Sequence, residues 1–200
     1  MDKNMFITDS AYYYVDVIRQ GRALFKSVEY RDSVSLEMLH NLAFSPKHKN
    51  WAAYTGDFLV EPSGKRFAYA YKYFKRILFY DPETGKSRVV EFDKDGVNPA
   101  NDVITLGPDN VTYYWGGRGT ENYIFLTYSG RTPIQVMQDN NKKNSYIYVE
   151  QFDWNGNPIR KYKLDHWGRM IADEKNGKLY QITYDYDDPL FVYDLPDIGK

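Results

Sequence analysis

The sequence predicts an all-β protein: a propeller-like array of four-stranded antiparallel blades, about three and a half of them. Three observations carry that expectation. Aromatic residues are abundant, with 20 Tyr, 11 Phe and 4 Trp among 200 residues, and such side chains fit a pleated, half-buried surface. Apolar residues recur with period two, the spacing of a strand. One hairpin pattern also returns along the chain, as "ILFYDPETGKSRVVEF" (77–92), "YIYVEQFDWNGNPIRKYKL" (146–164) and "LFVYDLPDIGK" (190–200). A sandwich explains many short strands, but a unit recurring every few tens of residues points to a propeller.

Taken in order, "YYYVDVIRQGRALFKSVEY" (12–30) reads as a hairpin resembling the last two strands of a blade. "SVSLEMLHNLAF" (33–44) is the one plausible helix, a turn or two long, with Leu36, Met38 and Leu39 on one face. A blade follows, with strands near 57–61, 66–73, 76–81 and 87–92. Within "RFAYAYKYF" (66–74), Phe67, Tyr69, Tyr71 and Tyr73 fall on one face. A second blade has strands near 111–115, 123–128, 146–153 and 158–164. A third has strands near 169–173, 178–184 and 189–194 and then runs out. The intervening turns "EPSGK", "DPETGK", "WNGN" and "EKNGK" place Gly, Pro or Asn where the backbone needs unusual angles. The whole is expected to be a single, partial propeller-type domain over 1–200, with blades in 55–196 and a hairpin and connection in 1–54.

Composition excludes several functions. The formal charge of −1, from 26 basic and 27 acidic side chains, gives no electrostatic case for nucleic acid or an anionic membrane. No stretch approaches the ~18 apolar residues of a membrane span, and "MDKNMFITDS" lacks the apolar core of a signal peptide. Without cysteine there are no disulfides, thiolate ligands or thiol nucleophile.

Residues 146–196, with the "FDWNGNPI" hairpin, the "YKLD" strand end, the "ADEKNGKLYQI" strand pair and the closing "VYDLP", resemble the C-terminal end of TolB-like six-bladed propeller proteins. The upstream "EPSGKRFAYAYKYFKRILFYD" resembles an interior blade of the same family, so the likeness covers about residues 55–196. The resemblance implies an incomplete six-bladed propeller and an extracytoplasmic family, in the periplasm or at the cell surface. Family members are roughly twice as long and carry an export or lipoprotein signal. On that comparison the chain looks like the C-terminal half of such a protein, a truncated product or a fragment. The resembling motifs are turns and blade edges, which bear on fold and not on activity.

No catalytic constellation emerges from the residues. His40, His48 and His166 are the only histidines and show no zinc-binding spacing. "DKDGVNPANDVI" (93–104) begins like a calcium loop but has Val97 and Ile104 where two ligands are needed. "WGGRGTEN" (115–122) precedes another strand, not a helix, and reads as a wide turn and not a phosphate loop. "DNNKKNS" (139–145) reads as a polar loop. No metal and no cofactor is expected.

In a propeller the first-to-second and third-to-fourth strand turns share one face, and the remaining connections share the other. The long connections 93–110 and 129–145 fall on that second face, with "DHWG" (165–168) and "YDYDD" (184–188). Binding groups gather on long loops of a rigid scaffold, so the candidate binding surface is Asp95, Arg131, His166, Trp167, Tyr186 and Asp187. The expected function is a non-catalytic binding or scaffold module presenting this face to a protein or glycan. The alternatives are a hydrolase or lyase acting on a glycan or peptide there, with Asp187 and His166 as the acid–base pair, and a remnant of a longer propeller gene. A half-ring would leave apolar blade faces open, so self-association or a complementing chain is expected.

Overall fold

A computed structural model describes residues 5–8, 11–19, 21–30, 33–43, 51–92, 110–142, 145–183, 187 and 189–196. These residues form fifteen strands in four antiparallel sheets. The first sheet joins β1 (Met5–Ile7), β2 (Tyr12–Ile18), β3 (Gly21–Tyr30) and β4 (Ser33–Asn41) in sequential order. The second joins β5 (Gly56–Val60), β6 (Phe67–Tyr71), β7 (Arg76–Tyr80) and β8 (Ser87–Glu91). The third joins β9 (Thr112–Gly119), β10 (Tyr123–Arg131), β11 (Ile147–Asp153) and β12 (Pro158–Leu164). The fourth has three strands, β13 (Arg169–Asp173), β14 (Lys178–Ile182) and β15 (Leu190–Asp194). One helix, α1 (Pro133–Asn141), separates β10 from β11, and a 3-10 turn covers Trp51–Ala53. Neither helix is long and apolar enough to cross a membrane.

Three sequence expectations change here. Residues 33–41 are a strand, β4, and not a helix. Val34, Leu36 and Met38 alternate with Ser33, Ser35 and Glu37, and pairing with β3 satisfies the backbone over Ala23–Tyr30. Consequently the 12–30 hairpin supplies the second and third strands of its blade, with β1 inside it and β4 outside. Segment 5–7 therefore completes the first sheet by pairing with β2. The "WGGRG" run also differs, because β9 continues through Gly119 and leaves a tight turn at 120–122.

The sheets stack face to face, each pair closing a core. Phe67, Tyr69, Tyr71, Leu78 and Tyr80 of the second sheet face the first, with Leu24, Leu42 and Tyr13. From the opposite face Leu59, Ala68, Ala70, Ile77 and Phe79 meet Tyr114, Ile124, Leu126 and Phe152 of the third. All five residues of β6 are buried, so its alternation is bulky against small and not apolar against polar. Between the third and fourth sheets lie Phe125, Ile147, Val149, Leu164, Ala172 and Leu179. Two buried tyrosine hydroxyls reach carbonyls: Tyr69 donates to that of Tyr54 at 2.6 Å and Tyr71 to that of Leu42 at 2.9 Å. Burial pushes the Tyr71 phenol up to about 12, with Arg76 opposing the shift. The Glu150 carboxylate lies 3.1 Å from Lys161, 3.8 Å from Lys75 of the second sheet, and 3.3 Å from the Tyr114 hydroxyl.

The first strands β5, β9 and β13 lie side by side, innermost in their sheets. Their closeness requires glycine. A Cβ at Gly119 would stand 2.3 Å from the Val60 carbonyl oxygen, and one at Gly117 would meet Leu126 and Leu59 at 2.6 and 2.7 Å. The tight turns lie at the opposite end from the long connections. Asp81, Asp153 and Asp173 each accept backbone N–H bonds there, and Gly85, Gly156 and Gly177 adopt φ of 68°, 81° and 61°.

Two outcomes follow from this packing. Gly119→Ala forces backbone to move against backbone and should cost roughly 1–3 kcal/mol, read as a lowered urea midpoint with an unchanged slope. His40 packs beside Tyr80, with ring centroids 5.7 Å apart. Burial, and then the Arg76 charge, lower its pKa below the ordinary value. The unfolded chain therefore binds the proton more readily, and stability falls as pH drops through about 6.5. Glu61 shifts down too, because hydrogen bonds from Ser63 and Arg66 outweigh its burial. Its contribution is lost only at lower pH, below the usual glutamate range. Denaturant titrations across pH should show both steps, and His40→Gln should remove the upper one alone.

Candidate functional site

At the end of the inner strands opposite the tight turns, the sheets leave a cleft of about 490 Å³. Its wall comes from the start of β5 (Thr55, Gly56, Asp57), the end of β6 (Lys72), β9 (Trp115), β10 (Thr127) and the start of β13 (Trp167, Gly168, Arg169), with Arg22 of β3. This convergence follows from topology. First strands start, and second strands end, at the same face.

Lys72 is held by its backbone. Its N–H donates to the Thr55 carbonyl at 2.9 Å, and its carbonyl accepts from the Tyr113 N–H at 2.8 Å, tying β6 to β5 and to β9. Its ammonium lies 4.3 Å over the Trp115 ring, a cation–π contact of roughly 0.5–2 kcal/mol. Trp115 is 43% exposed and meets Trp167 at right angles, with centroids 5.6 Å apart. The Trp167 backbone N–H donates to Ser145 Oγ at 3.0 Å, which fixes the base of that ring. Among the described lining residues the cations Arg22, Lys72 and Arg169 face one carboxylate, Asp57. The cleft therefore favours an anion. Behind Gly56 of the wall lies the buried Tyr69 ring, whose phenol burial pushes upward while nearby Arg22 opposes the shift.

Of the six residues anticipated from sequence, Trp167 lies on this wall, and Asp95 and Tyr186 lie outside the described residues. Arg131 sits near Trp167, with its guanidinium carbon 5.9 Å from that ring, but it serves the scaffold. It pairs with Asp139 of α1 at 2.6 Å, donates to the Tyr146 carbonyl and covers the Tyr146 ring at 3.7 Å. His166 adjoins the wall with its ring flat on Phe191 at 4.0 Å, and its carbonyl accepts from Gln181 Nε2. Asp187 is exposed. The calcium-like loop at 93–104 lies outside the described residues, and among the described residues no three His, Asp or Glu side chains group as metal ligands. The expected polar loop at 139–145 begins as the last turn of α1.

Sequence reasoning missed Arg22, Asp57, Lys72, Trp115 and Arg169 because it looked to loops. The signal was available in the strand order, which brings "TGD", "YK" and "GR" to one rim.

A scan of protein families matches residues 57–176 to the family described as TolB-like 6-blade propeller-like. The chain belongs to that family. Solved structures share the fold at low identity. TolB from Acinetobacter baumannii superposes with a TM-score of 0.54 at 12% identity, covering 98% of this chain and 41% of that one. AztD from Citrobacter koseri gives 0.52 at 12% identity, covering 97% and 44%. A chain of a nidogen/laminin complex gives 0.50 at 10%, covering 90% and 57%. The chain thus spans about half of these relatives or less. No curated protein sequence matches it.

Proposed function

We propose that this propeller module is a non-catalytic binding module of the extracytoplasmic, cell-envelope type, and that the cleft is where it holds part of a glycan or protein ligand. The observation that carries the reading is the arrangement at the rim. A backbone-fixed lysine is laid over an exposed tryptophan, a second tryptophan stands perpendicular to it, and cations outnumber carboxylates three to one. A mostly preformed concavity within the ~300–1,000 Å³ range, with few convergent polar groups, is the usual form of a ligand site. Family membership supports the extracytoplasmic placement. Catalysis by a hydrolase or lyase is the second reading. Asp57 is the only carboxylate among the described lining residues, where a glycosidase ordinarily sets two across the scissile bond.

Glycan and peptide arrays probed with the wild type and with Trp115→Ala test this reading. At least one ligand class should bind the wild type and be lost in the variant. Binding that Trp115→Ala leaves untouched would place the function elsewhere.

The outer faces support a further part of the proposal, that the chain packs on other blades. Leu36 and Met38 on the first sheet, and Leu190 and Val192 on the fourth, are each more than half exposed. Internal sheets bury the equivalent faces, and the fifteen strands among the described residues fall short of six four-stranded blades. The isolated 200 residues should self-associate at micromolar concentration in sedimentation equilibrium, and Leu36→Glu with Met38→Glu should weaken that. A clean monomer for the wild type would contradict it.

A further inference from the structure

Resting on the chain's association with itself, we propose that the outer edge of β4 pairs with β4 of a second copy. Two first sheets then join into one continuous sheet across a two-fold axis. The contact lies away from the cleft and uses main-chain groups that blade packing leaves free. Along an edge strand, every second residue turns its N–H and C=O away from the neighbouring strand, open to pairing with another chain. Strand β4 is the last of its sheet, and among the described residues no strand pairs with it on the far side.

Each sheet has an outer edge of this kind, but the four edges differ in how they are guarded. Natural sheets protect such edges by keeping them short or by placing charges and Pro on them. Strand β8 is five residues long and includes Arg88 and Glu91. Strand β12 opens on Pro158 and carries Arg160, Lys161 and Lys163, so self-pairing about its centre would set Lys161 against Lys161. Strand β15 is five residues long, and self-pairing about Val192 would set Leu190 against Asp194. Strand β4 runs for nine residues with no Lys, Arg or Pro, and its one carboxylate is Glu37. Its residues 33–38 are all exposed and pair with β3 in unbroken register, with the bulge falling beyond them.

The side chains of β4 complement themselves when the strand is reversed. Antiparallel pairing centred on Leu36 sets Leu36 against Leu36 of the second copy, and Val34 against Met38. These three are each more than half exposed and share the outer face, so every cross-strand pair on that face is apolar. On the other face Ser35 meets Glu37, a hydroxyl beside a carboxylate that can accept from it. Glu37 lies on the side of the second sheet, where its charge acts on Tyr80. The two Glu37 carboxylates stand on a diagonal and are not directly opposed, the arrangement in which like charges destabilise. Centring the pair on Glu37 would oppose them, and centring it on Ser35 would take Met38 out of the apolar set. The pattern therefore selects the register as well as the partner.

The chain has no cysteine, so introduced thiols report contacts between copies without background. Directly opposed residues of an antiparallel pair have Cα atoms ~4.5 or ~5.5 Å apart, within the ~4.4–6.8 Å that a disulfide spans. Under mild oxidation Leu36→Cys should form a covalent dimer, and Ser35→Cys mixed with Glu37→Cys should crosslink to each other. Val34→Cys alone lies four residues, roughly 13 Å, from its own copy and should stay monomeric on a non-reducing gel. Val89→Cys on β8 should stay monomeric too. Thermal unfolding of each reduced variant checks that the fold persists. In the wild type, the amides of 34–38 should exchange freely in dilute monomer and slow severalfold as concentration is raised into the dimer. Crosslinking of Leu36→Cys without the Ser35→Cys and Glu37→Cys pair overturns edge pairing and leaves packing of the outer faces standing. Equal crosslinking at Val34→Cys or Val89→Cys overturns it as random collision. No crosslinking on β4, at a concentration where the wild type sediments as a dimer, also overturns it. A wild-type monomer overturns both the pairing and the self-association.

Discussion

The closeness of the inner strands is the constraint on which the rest of the structure depends. At Gly119 the chain passes Val60 with no room for a methyl group, and at Gly117 the side chains of Leu59 and Leu126 take the space a Cβ would need. Any side chain there would push β9 away from β5. The facing apolar surfaces of the second and third sheets would then part, and so would the rim that holds Lys72 against Trp115. Within the glycine run, Gly117 and Gly119 therefore set the distance between two blades, while Gly116 has open space around it.

Given that spacing, size alternation does the remaining work of packing. Strand β6 turns Phe67, Tyr69 and Tyr71 towards the first sheet and Ala68 and Ala70 towards the third. Aromatic rings fill the wider gap on one side, and alanines admit close approach on the other. Tyrosine suits the wide side because its hydroxyl can reach a backbone carbonyl at the edge of the core, as Tyr71 does at Leu42. The polar tether between blades is similar in kind. Glu150 draws Lys75 and Lys161 together across the junction of the second and third sheets, while Arg66 donates from the far end to the Glu121 carbonyl at 3.0 Å.

Much of this was legible in the sequence, and the failures have physical causes. Turn residues marked the hairpins because Asp side chains and left-handed glycines act within four or five residues of chain. Segment 33–41 was misjudged since Leu36, Met38 and Leu39 fit a short helical face as well as a strand, and a β-bulge between Leu24 and Phe25 breaks the pairing near Leu39. Helix α1 was missed although "TPIQ" spells its start. Thr132 Oγ1 accepts from the Gln135 N–H, Gln135 Oε1 accepts in turn from the Thr132 N–H, and Pro133 takes the first helical position. None of the helix is buried, so it lacks the apolar stripe by which helices are usually found. Of the cleft wall, the sequence pointed to one residue. Trp167 was named, but apart from Gly168 and Arg169 the residues of its wall lie from 40 residues away, at Thr127, to 145 away, at Arg22, and only the blade order brings them together.

The sheets are blades stacked around the inner strands, with interior sheets protected on both faces and outer ones on one. Residue-resolved amide hydrogen exchange tests this most directly, since local opening energies follow burial and pairing. The slowest amides should lie in β6, β7, β10 and β11, with β4 and β15 exchanging fastest among the strands. Protection in β4 with a helical pattern, or protection of β15 equal to that of β10, would contradict the account.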